Sequence, residues 1–307
     1  MSAGPTLNLN SFNHDMHYSD GESEQRLLAH FKEAKNPEDI LSLLTDKPDW
    51  PTLYHLSPER ENLLSWFDFN SDCELLEIGA GCGALTGLFC RRARKVTAVE
   101  LTRLRAEIIL QRCKHYSNLE IIVGDFNQIE FERPFDYVTC IGVLEYAGRY
   151  GRSARPYDHL LARTRSLLKP GGCLILAIEN KFGLKYWSGC REDHTGRMFE
   201  SIEGYPGRDG VQTFDRGELE RMLNTAGYSN LQFYYPLPDY KLPVEIFSDA
   251  YLPSPRHSVR PGLLPTPDPS GERAELFDEA LVMDSIIGAG QFSFFANSFL
   301  VFAKAVP

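Results

Sequence analysis

Glu77 stands two residues before the first of three alternating glycines, Gly79, Gly81 and Gly83, in the run LLEIGAGCG at 75–83. A carboxylate so placed can meet the ammonium of a cationic ligand. Glycines at that spacing let a ligand lie against bare backbone, and the first N–H groups of a following helix face it. A second apolar run ends in Glu100-Leu101, whose carboxylate can accept both hydrogens of a ribose diol. A third ends in Gly124-Asp125-Phe126, which offers Asp125 to an exocyclic amine and the Phe126 ring to an adenine. Together these residues describe a cationic ligand that carries adenosine.

Gly-x-Gly-x-Gly by itself also suits dinucleotides. None of the 14 tyrosines, however, has Lys four residues later, so the Tyr-x-x-x-Lys pair of short-chain dehydrogenases is absent. In the N-terminal region, Tyr18 and Asp20 sit in a turn-like cluster, with Tyr18 either closing over the ligand or packing as an ordinary aromatic.

A second set of reactive groups lies between Ile178 and Pro206, in IENKFGLKYWSGCREDHTGRMFESIEGYP. It is dense in side chains that recognise hydroxyl-rich ligands: Asn180, Lys185, Tyr186, Asp193, Glu203 and Tyr205. Asp239 and Lys241 follow in PDYKLP at 238–243. Lys185 and Lys241 suit a phosphate or carboxylate, or else are simply solvated. His194 is the candidate general base, because an unperturbed imidazole titrates near neutrality and Asp193 or another acid could orient it. Glu145 and Glu179 are alternative bases, and a His that merely ties down its loop is the competing reading.

The elements that must position these groups alternate. Strands are expected at 74–78, 96–100, 119–123, 136–141 and 173–178, with helices near 84–93, 103–115 and 157–168, which implies crossovers and a largely parallel sheet. Lys169-Pro170-Gly171-Gly172 reads as a turn before the fifth strand. Helices are also expected at 22–35, 37–44 (Asn36 cap, Pro37 at the first position), 57–67, 215–226 and 272–287. Two more strands fall at 231–235 and 298–304. Residues 1–16 are polar and expected to be disordered, Trp50-Pro51 interrupts, and Pro253–Pro269 carries six prolines that suit a loop or lid. The division expected is a helical cap over 1–70 and an α/β domain over 71–307, with insertions at about 179–213 and 236–297.

The span 75–180 resembles the class I S-adenosylmethionine-dependent methyltransferases, through Glu77–Gly83, the acidic Glu100 and Asp125. The resemblance implies a Rossmann-like, seven-stranded, mostly parallel sheet with an antiparallel last strand, S-adenosylmethionine as cofactor and S-adenosylhomocysteine as product. It also implies that Ile141 and Gly142 lie beside the methionine moiety. LLEIGAGCGALT…VTAVEL is similar to the ribosomal RNA adenine dimethylases as well. Where those carry an Asn-Leu-Pro-Tyr type segment, this chain reads Cys140-Ile141-Gly142-Val143-Leu144-Glu145-Tyr146, which argues against an adenine acceptor. YHLSPERENLL (54–64), IGVLEYA (141–147), IENKFGLKYW (178–187), EDHTG (192–196) and PDYKLP together resemble a bacterial group found beside, or fused to, glycosyltransferases of surface-polysaccharide assembly. That resemblance implies O-methylation of a sugar or glycan intermediate. A different small molecule, a nitrogen or carbon acceptor, and a non-catalytic scaffold for glycosyltransferases are the alternatives.

Composition bounds the partners. Over 307 residues, 32 Lys and Arg face 42 Asp and Glu, a net charge of −10 that disfavours a phosphate backbone as partner. The seven cysteines form no C-x-x-C pair, so neither a disulfide framework nor a metal site is expected, and a reducing, cytoplasmic setting is. No apolar run approaches the roughly 18 residues of a membrane span.

Overall fold

The computed structural model describes residues 4–12, 21–45, 48–151, 153–207, 210–256, 259, 268 and 271–306. Tyr18 and Asp20, and most of the proline-rich 253–269 stretch, lie outside them. The chain divides into two compact units, residues 1–140 with 167–172, and residues 141–166 with 173–307.

The first unit holds β1 (Thr6–Asn8), α1 (Glu22–Glu33), α2 (Pro37–Leu41), α3 (Trp50–Leu56), β2 (Glu74–Ile78), α4 (Thr86–Arg92), β3 (Lys95–Glu100), α5 (Arg103–Arg112), β4 (Leu119–Val123) and β5 (Phe135–Ile141, whose last residue belongs to the second unit). Its strands run parallel in the order β1-β4-β3-β2-β5. Near-continuous apolar runs such as Leu75-Leu76 and Ile121-Ile122 are what a parallel sheet covered on both faces requires. The register, Ile78 opposite Val99 and Glu100 opposite Val123, brings the carboxyl ends of β2, β3 and β4 level. The N-terminal helices belong to this unit's core: Leu27, Leu28, Phe31 and Leu56 pack with Cys82 of the glycine turn and Ile108 of α5. A buried pair, Arg105 Nε to Glu24 Oε1 at 2.5 Å, ties α1 to α5.

The chain passes into the second unit along β6 (Leu168–Glu179). This unit contains α6 (Ala147–Tyr150), α7 (Pro156–Ser166), α8 (Leu184–Trp187), α9 (Arg216–Thr225), β7 (Tyr228–Leu237), β8 (Glu245–Ser248), α10 (Glu279–Gly288), α11 (Phe292–Phe295) and β9 (Ser298–Ala305). Its strands are antiparallel in the order β6-β9-β7-β8, so the last strand runs antiparallel as expected.

Among the described residues nine strands replace the expected seven. The two additions are β1, where Thr6–Asn8 takes the edge of β4 in a segment expected to be disordered, and the short β8 beside β7. The helix expected at 57–67 starts earlier: Asp49 caps the Thr52 N–H, Trp50 and Pro51 open α3, and only a 3-10 turn, Pro58–Leu63, follows. Pro51 does not interrupt, because the first helical turn has no N–H acceptor to lose. The Lys169–Gly172 turn is part of β6, with Gly171 in the left-handed region at φ 74°. The helix expected from 272 begins at Glu279, where Asp278 caps it. The boxes at Asn36/Asp39 and Asp215/Glu218 form as the spacing requires. All seven cysteines are buried free thiols, and no helix among the described residues is long and apolar enough to cross a membrane.

Candidate functional site

In the first unit the three glycines of the sequence motif shape the turn after β2. Gly79, Gly81 and Gly83 have φ of 67°, 57° and 76°, a region glycine enters without a steric penalty. Their roles differ. The Gly79 N–H donates to Val99 O at 2.9 Å, which closes the turn onto β3. A Cβ on Gly83 would lie 3.2 Å from Ile109 Cγ1, so this glycine lets α5 approach. A Cβ on Gly81 would meet nothing within 4 Å, so its backbone faces open space. The Gly81 N–H donates to Glu100 Oε2 at 2.9 Å, which places the acid at the end of β3 directly against the turn.

Glu100 also accepts from the Thr102 N–H at 2.9 Å, and burial raises its pKa while Arg105 opposes the rise. Glu77 is buried, accepts from Thr86 Oγ1 at 2.6 Å at the start of α4, and is pushed up to about 8 by burial, with the Thr86 bond opposing. A carboxyl this reluctant to ionise suits a cationic partner arriving beside it. Arg112 stiffens the turn: its Nη1 donates to His55 O at 2.6 Å and more distantly to Cys82 O at 3.4 Å. An arginine near a helix end gives no sequence signal for that role.

Asp125 caps the 3-10 turn Phe126–Gln128, accepting from the Asn127 N–H at 2.9 Å and from Gln128 Nε2 at 2.8 Å, which leaves lone-pair capacity for an amine. Phe126 is buried, its ring tilted against that of half-buried Phe131 with centroids 6.2 Å apart. Leu101 is half-buried beyond β3. A cleft of about 520 Å³ in this unit, lined by Phe31, Ile40, Leu56, Arg91 and Arg112, is bordered by neither the glycines nor Glu100.

In the second unit, Ile141 and Gly142 open the segment that leads to the acid cluster. Gly142 has φ 68°, and a Cβ there would sit 2.8 Å from Tyr240 Oη. Three residues on, Glu145 lies in the short turn Leu144–Tyr146 and is buried. Glu179 ends β6 opposite Ser298 of β9 and is fully buried. His194 comes from the EDHTG loop, and its Nε2 lies 3.7 Å from Glu145 Oε1 and 3.9 Å from Glu179 Oε2. The structure therefore brings the three candidate bases together.

His194 is oriented by Glu192, not by Asp193. Glu192 Oε1 pairs with Nδ1 at 2.8 Å, while Glu192 Oε2 accepts the backbone N–H groups of His194 at 2.8 Å and Thr195 at 2.7 Å. Tyr205 Oη also donates to Glu192, at 3.3 Å, and is shared with Thr213 Oγ1 at 2.5 Å. Tyr146 stands edge-on to the imidazole, centroids 5.2 Å apart. Burial lowers the His194 pKa, but the carboxylates of Glu179, Glu145 and Glu192 outweigh it and hold the ring well above its usual range. Burial raises Glu145, and nearby His194 opposes it.

Lys185 and Lys241 are not solvated. Lys185 Nζ is fully buried and donates to Asp193 at 2.6 Å and Asp239 at 3.3 Å. Lys241 Nζ binds Asp193 at 2.8 Å and Glu179 Oε1 more closely. The two ammonium groups hold Asp193 far below the usual carboxylate range despite its burial. Tyr240 Oη adds a bond to Glu179 Oε1 at 3.3 Å. Tyr186 is buried beneath Lys185. Two expected substrate contacts are not in this cluster. Asn180 spends its side chain on the carbonyls of Phe294 and Ala296 and on the Phe182 N–H, because it must fasten the loop after β6 to the start of β9. Glu203 is exposed on the turn before Gly204.

The parallel β2–β5 arrangement with a glycine turn after its first central strand, and an acid ending the next, defines a Rossmann-like nucleoside-binding fold of the class I methyltransferase kind. Residues 76–174 match the family described as "Methyltransferase domain", so this stretch is a class I methyltransferase domain whose cofactor is S-adenosyl-L-methionine. The chain is similar to "Probable ribosomal RNA small subunit methyltransferase A" of Methanosarcina acetivorans, 44% identical over 65 residues, 21% of this chain and 24% of that protein. It is also similar to "Malonyl-[acyl-carrier protein] O-methyltransferase" of Priestia megaterium, 28% identical over 121 residues, 38% of this chain and 40% of that protein. The matches thus span about a quarter to two-fifths of these relatives. Among solved structures, phosphoethanolamine N-methyltransferase 1 of Haemonchus contortus, with phosphoethanolamine and S-adenosylhomocysteine bound, shares the fold at a TM-score of 0.51 and 15% identity. It covers 95% of this chain and 52% of that one.

Proposed function

We propose that the chain is an S-adenosylmethionine-dependent O-methyltransferase acting on a hydroxyl of a sugar or glycan intermediate. The carrying observation is the buried Glu145–Glu179–His194 group, in which Glu145 Oε2 and Glu179 Oε2 have no hydrogen-bond partner among the described residues. A buried acceptor without a donor is costly unless a ligand supplies one, and an acceptor hydroxyl would. Gly79, Gly81, Gly83, Glu77 and Glu100 would hold the cofactor, which supplies an electrophilic methyl group on its sulfonium. The chain's part is to hold the hydroxyl in line and to receive its proton.

His194, kept charged by three carboxylates, is the wrong ionic form for a base. We assign proton acceptance to Glu179 Oε2 or Glu145 Oε2 and the stabilising charge to His194. Lys241 fixes Glu179, and the carboxylates of Asp193 and Asp239 would accept from further hydroxyls of the acceptor. The segments resembling glycosyltransferase-associated methyltransferases support a sugar, a cytoplasmic setting and glycosyltransferases as suppliers of the acceptor. One observation favours a second reading: five carboxylates (Glu145, Glu179, Glu192, Asp193, Asp239) face two lysines and one imidazole. That excess of negative charge would also draw a protonated amine.

Release of S-adenosylhomocysteine with a panel of glycosides, nucleotide sugars and amines decides between them. Turnover with hydroxylated sugars, reduced at least 100-fold in Glu179→Gln with cofactor affinity kept, is expected. Turnover confined to amines would overturn the hydroxyl reading.

A further inference from the structure

We propose that Glu145, Glu179 and His194 form a binding site for one divalent metal ion, Mn2+ or a cation of similar preference. The proposal goes beyond the function above and stands on the geometry of three side chains, whatever the acceptor proves to be.

One oxygen from each glutamate and one imidazole nitrogen lie within 4.8 Å of one another. Two ligand atoms, each about 2.1 Å from a shared cation, stand about 3.0 Å apart at a right angle and about 3.4 Å apart at the tetrahedral angle. The observed 3.7 Å and 3.9 Å from His194 Nε2 to the two carboxylates need to close by less than an ångström.

A second observation concerns the same carboxylates, and for Glu179 the same oxygen that faces His194. Glu145 Oε2 and Glu179 Oε2 are buried and without partners among the described residues, on residues 1% and 0% exposed. The other oxygen of Glu179 is occupied by Lys241 Nζ and Tyr240 Oη, which fixes the carboxylate and leaves Oε2 on the imidazole side.

The outer partners match what a metal-bound histidine requires. Glu192 Oε1 pairs with Nδ1 at 2.8 Å, a bond that would hold the ring when a cation takes the place of the Nε2 proton. Glu192 is itself held by Tyr205 Oη and two backbone N–H groups. The charges facing the site are those of Glu145, Glu179, Glu192, Asp193 and Asp239 against Lys185 and Lys241. With His194 neutral they sum to −3, and a divalent cation in place of the Nε2 proton brings the sum to −1. Two carboxylates and one imidazole are a mixed donor set suited to Mn2+, Zn2+ or Fe2+ and poor for Cu+. Three protein ligands would leave positions for water or for an oxygen of the acceptor.

The test is Mn2+ titration of the full chain, stripped with chelator, followed by electron paramagnetic resonance of free Mn2+ with and without S-adenosylmethionine. Co2+ is added in parallel for its visible absorption. One equivalent bound is expected, weakened at least 30-fold in Glu179→Gln and His194→Gln and unchanged in the exposed Glu220→Gln. Circular dichroism establishes that each variant is folded. For a variant that does not fold, the wild-type shift in melting temperature with Mn2+, against none with the same concentration of Na+, carries the same decision. Absence of stoichiometric binding, or binding that survives both substitutions, overturns the proposal. The hydroxyl reading survives that result if turnover persists in chelator, and fails separately if no hydroxylated acceptor is methylated with or without metal.

Discussion

Glu77 shows most directly how burial converts a sequence motif into a measurable property. Its carboxyl is pushed from 4.5 up to about 8 because its place at the end of β2 removes it from water. The folded chain therefore holds a proton that the unfolded chain releases at pH 4.5 and above. Stability from this group is full below about 4.5 and is lost as pH rises through about 8, at up to ~1.4 kcal/mol per pH unit. Urea unfolding of the cofactor-free protein should show Glu77→Gln gaining on the wild type between pH 5 and pH 8, since Gln keeps a partner for Thr86 without the ionisation. Parallel pH profiles for the two proteins would refute this. At this scale the sequence was informative about which residues matter and less so about how they are paired. His194, Glu145 and Glu179 were named separately from their chemistry, and the fold brings them together. Glu192 escaped notice because its role depends on an i to i+2 loop contact that any acid nearby could have made. Tyr240 was hidden because its hydroxyl reaches Glu179 across 61 positions of chain.

The elements most legible in the sequence were those whose signal is local. β2 and β4 fall at 74–78 and 119–123 as the apolar runs require, and both capping boxes form where acid and cap are three residues apart. What failed depended on distant partners: β1 exists because β4 has an open edge, and β8 because β7 does. The segment from β5 into the turn that carries Glu145 combines both kinds of information. Gly142 belongs to the cofactor motif by resemblance, but its tightest constraint is Tyr240, whose hydroxyl would lie 2.8 Å from a Cβ. Gly142→Ala should therefore cost about 1–3 kcal/mol through crowding and left-handed strain, and should lower turnover by displacing Glu145. Removing the hydroxyl by adding Tyr240→Phe to the Gly142→Ala variant should recover the crowding part of that loss while leaving the strain. Thermal melts of the two single variants and the double variant measure it, and strict additivity would show that the contact is not what makes glycine necessary here.

Charge is a property of the whole molecule, and it bears on which acceptor this chain could bind. The match to a ribosomal RNA methyltransferase, 44% identical, extends over 65 residues, about a fifth of this chain, and does not define an acceptor. Binding RNA with useful affinity requires Lys and Arg to displace counterions from several phosphates, each adding about one unit to the salt dependence. Here 42 acids exceed 32 bases. The basic run Arg91-Arg92-Ala93-Arg94-Lys95 is largely committed: Arg91 pairs with Glu61, Arg94 with Glu74 and Lys95 with Glu120. In the second unit the two lysines nearest the acid cluster are buried among carboxylates and have no charge to offer a phosphate backbone. The chain should accordingly show no saturable association with a ribosomal RNA hairpin at about 150 mM salt, with or without S-adenosylmethionine. Fluorescence anisotropy up to tens of micromolar protein measures this. A salt-sensitive complex with several phosphate contacts would mean that the acceptor is a nucleic acid and that the buried acids serve some other ligand.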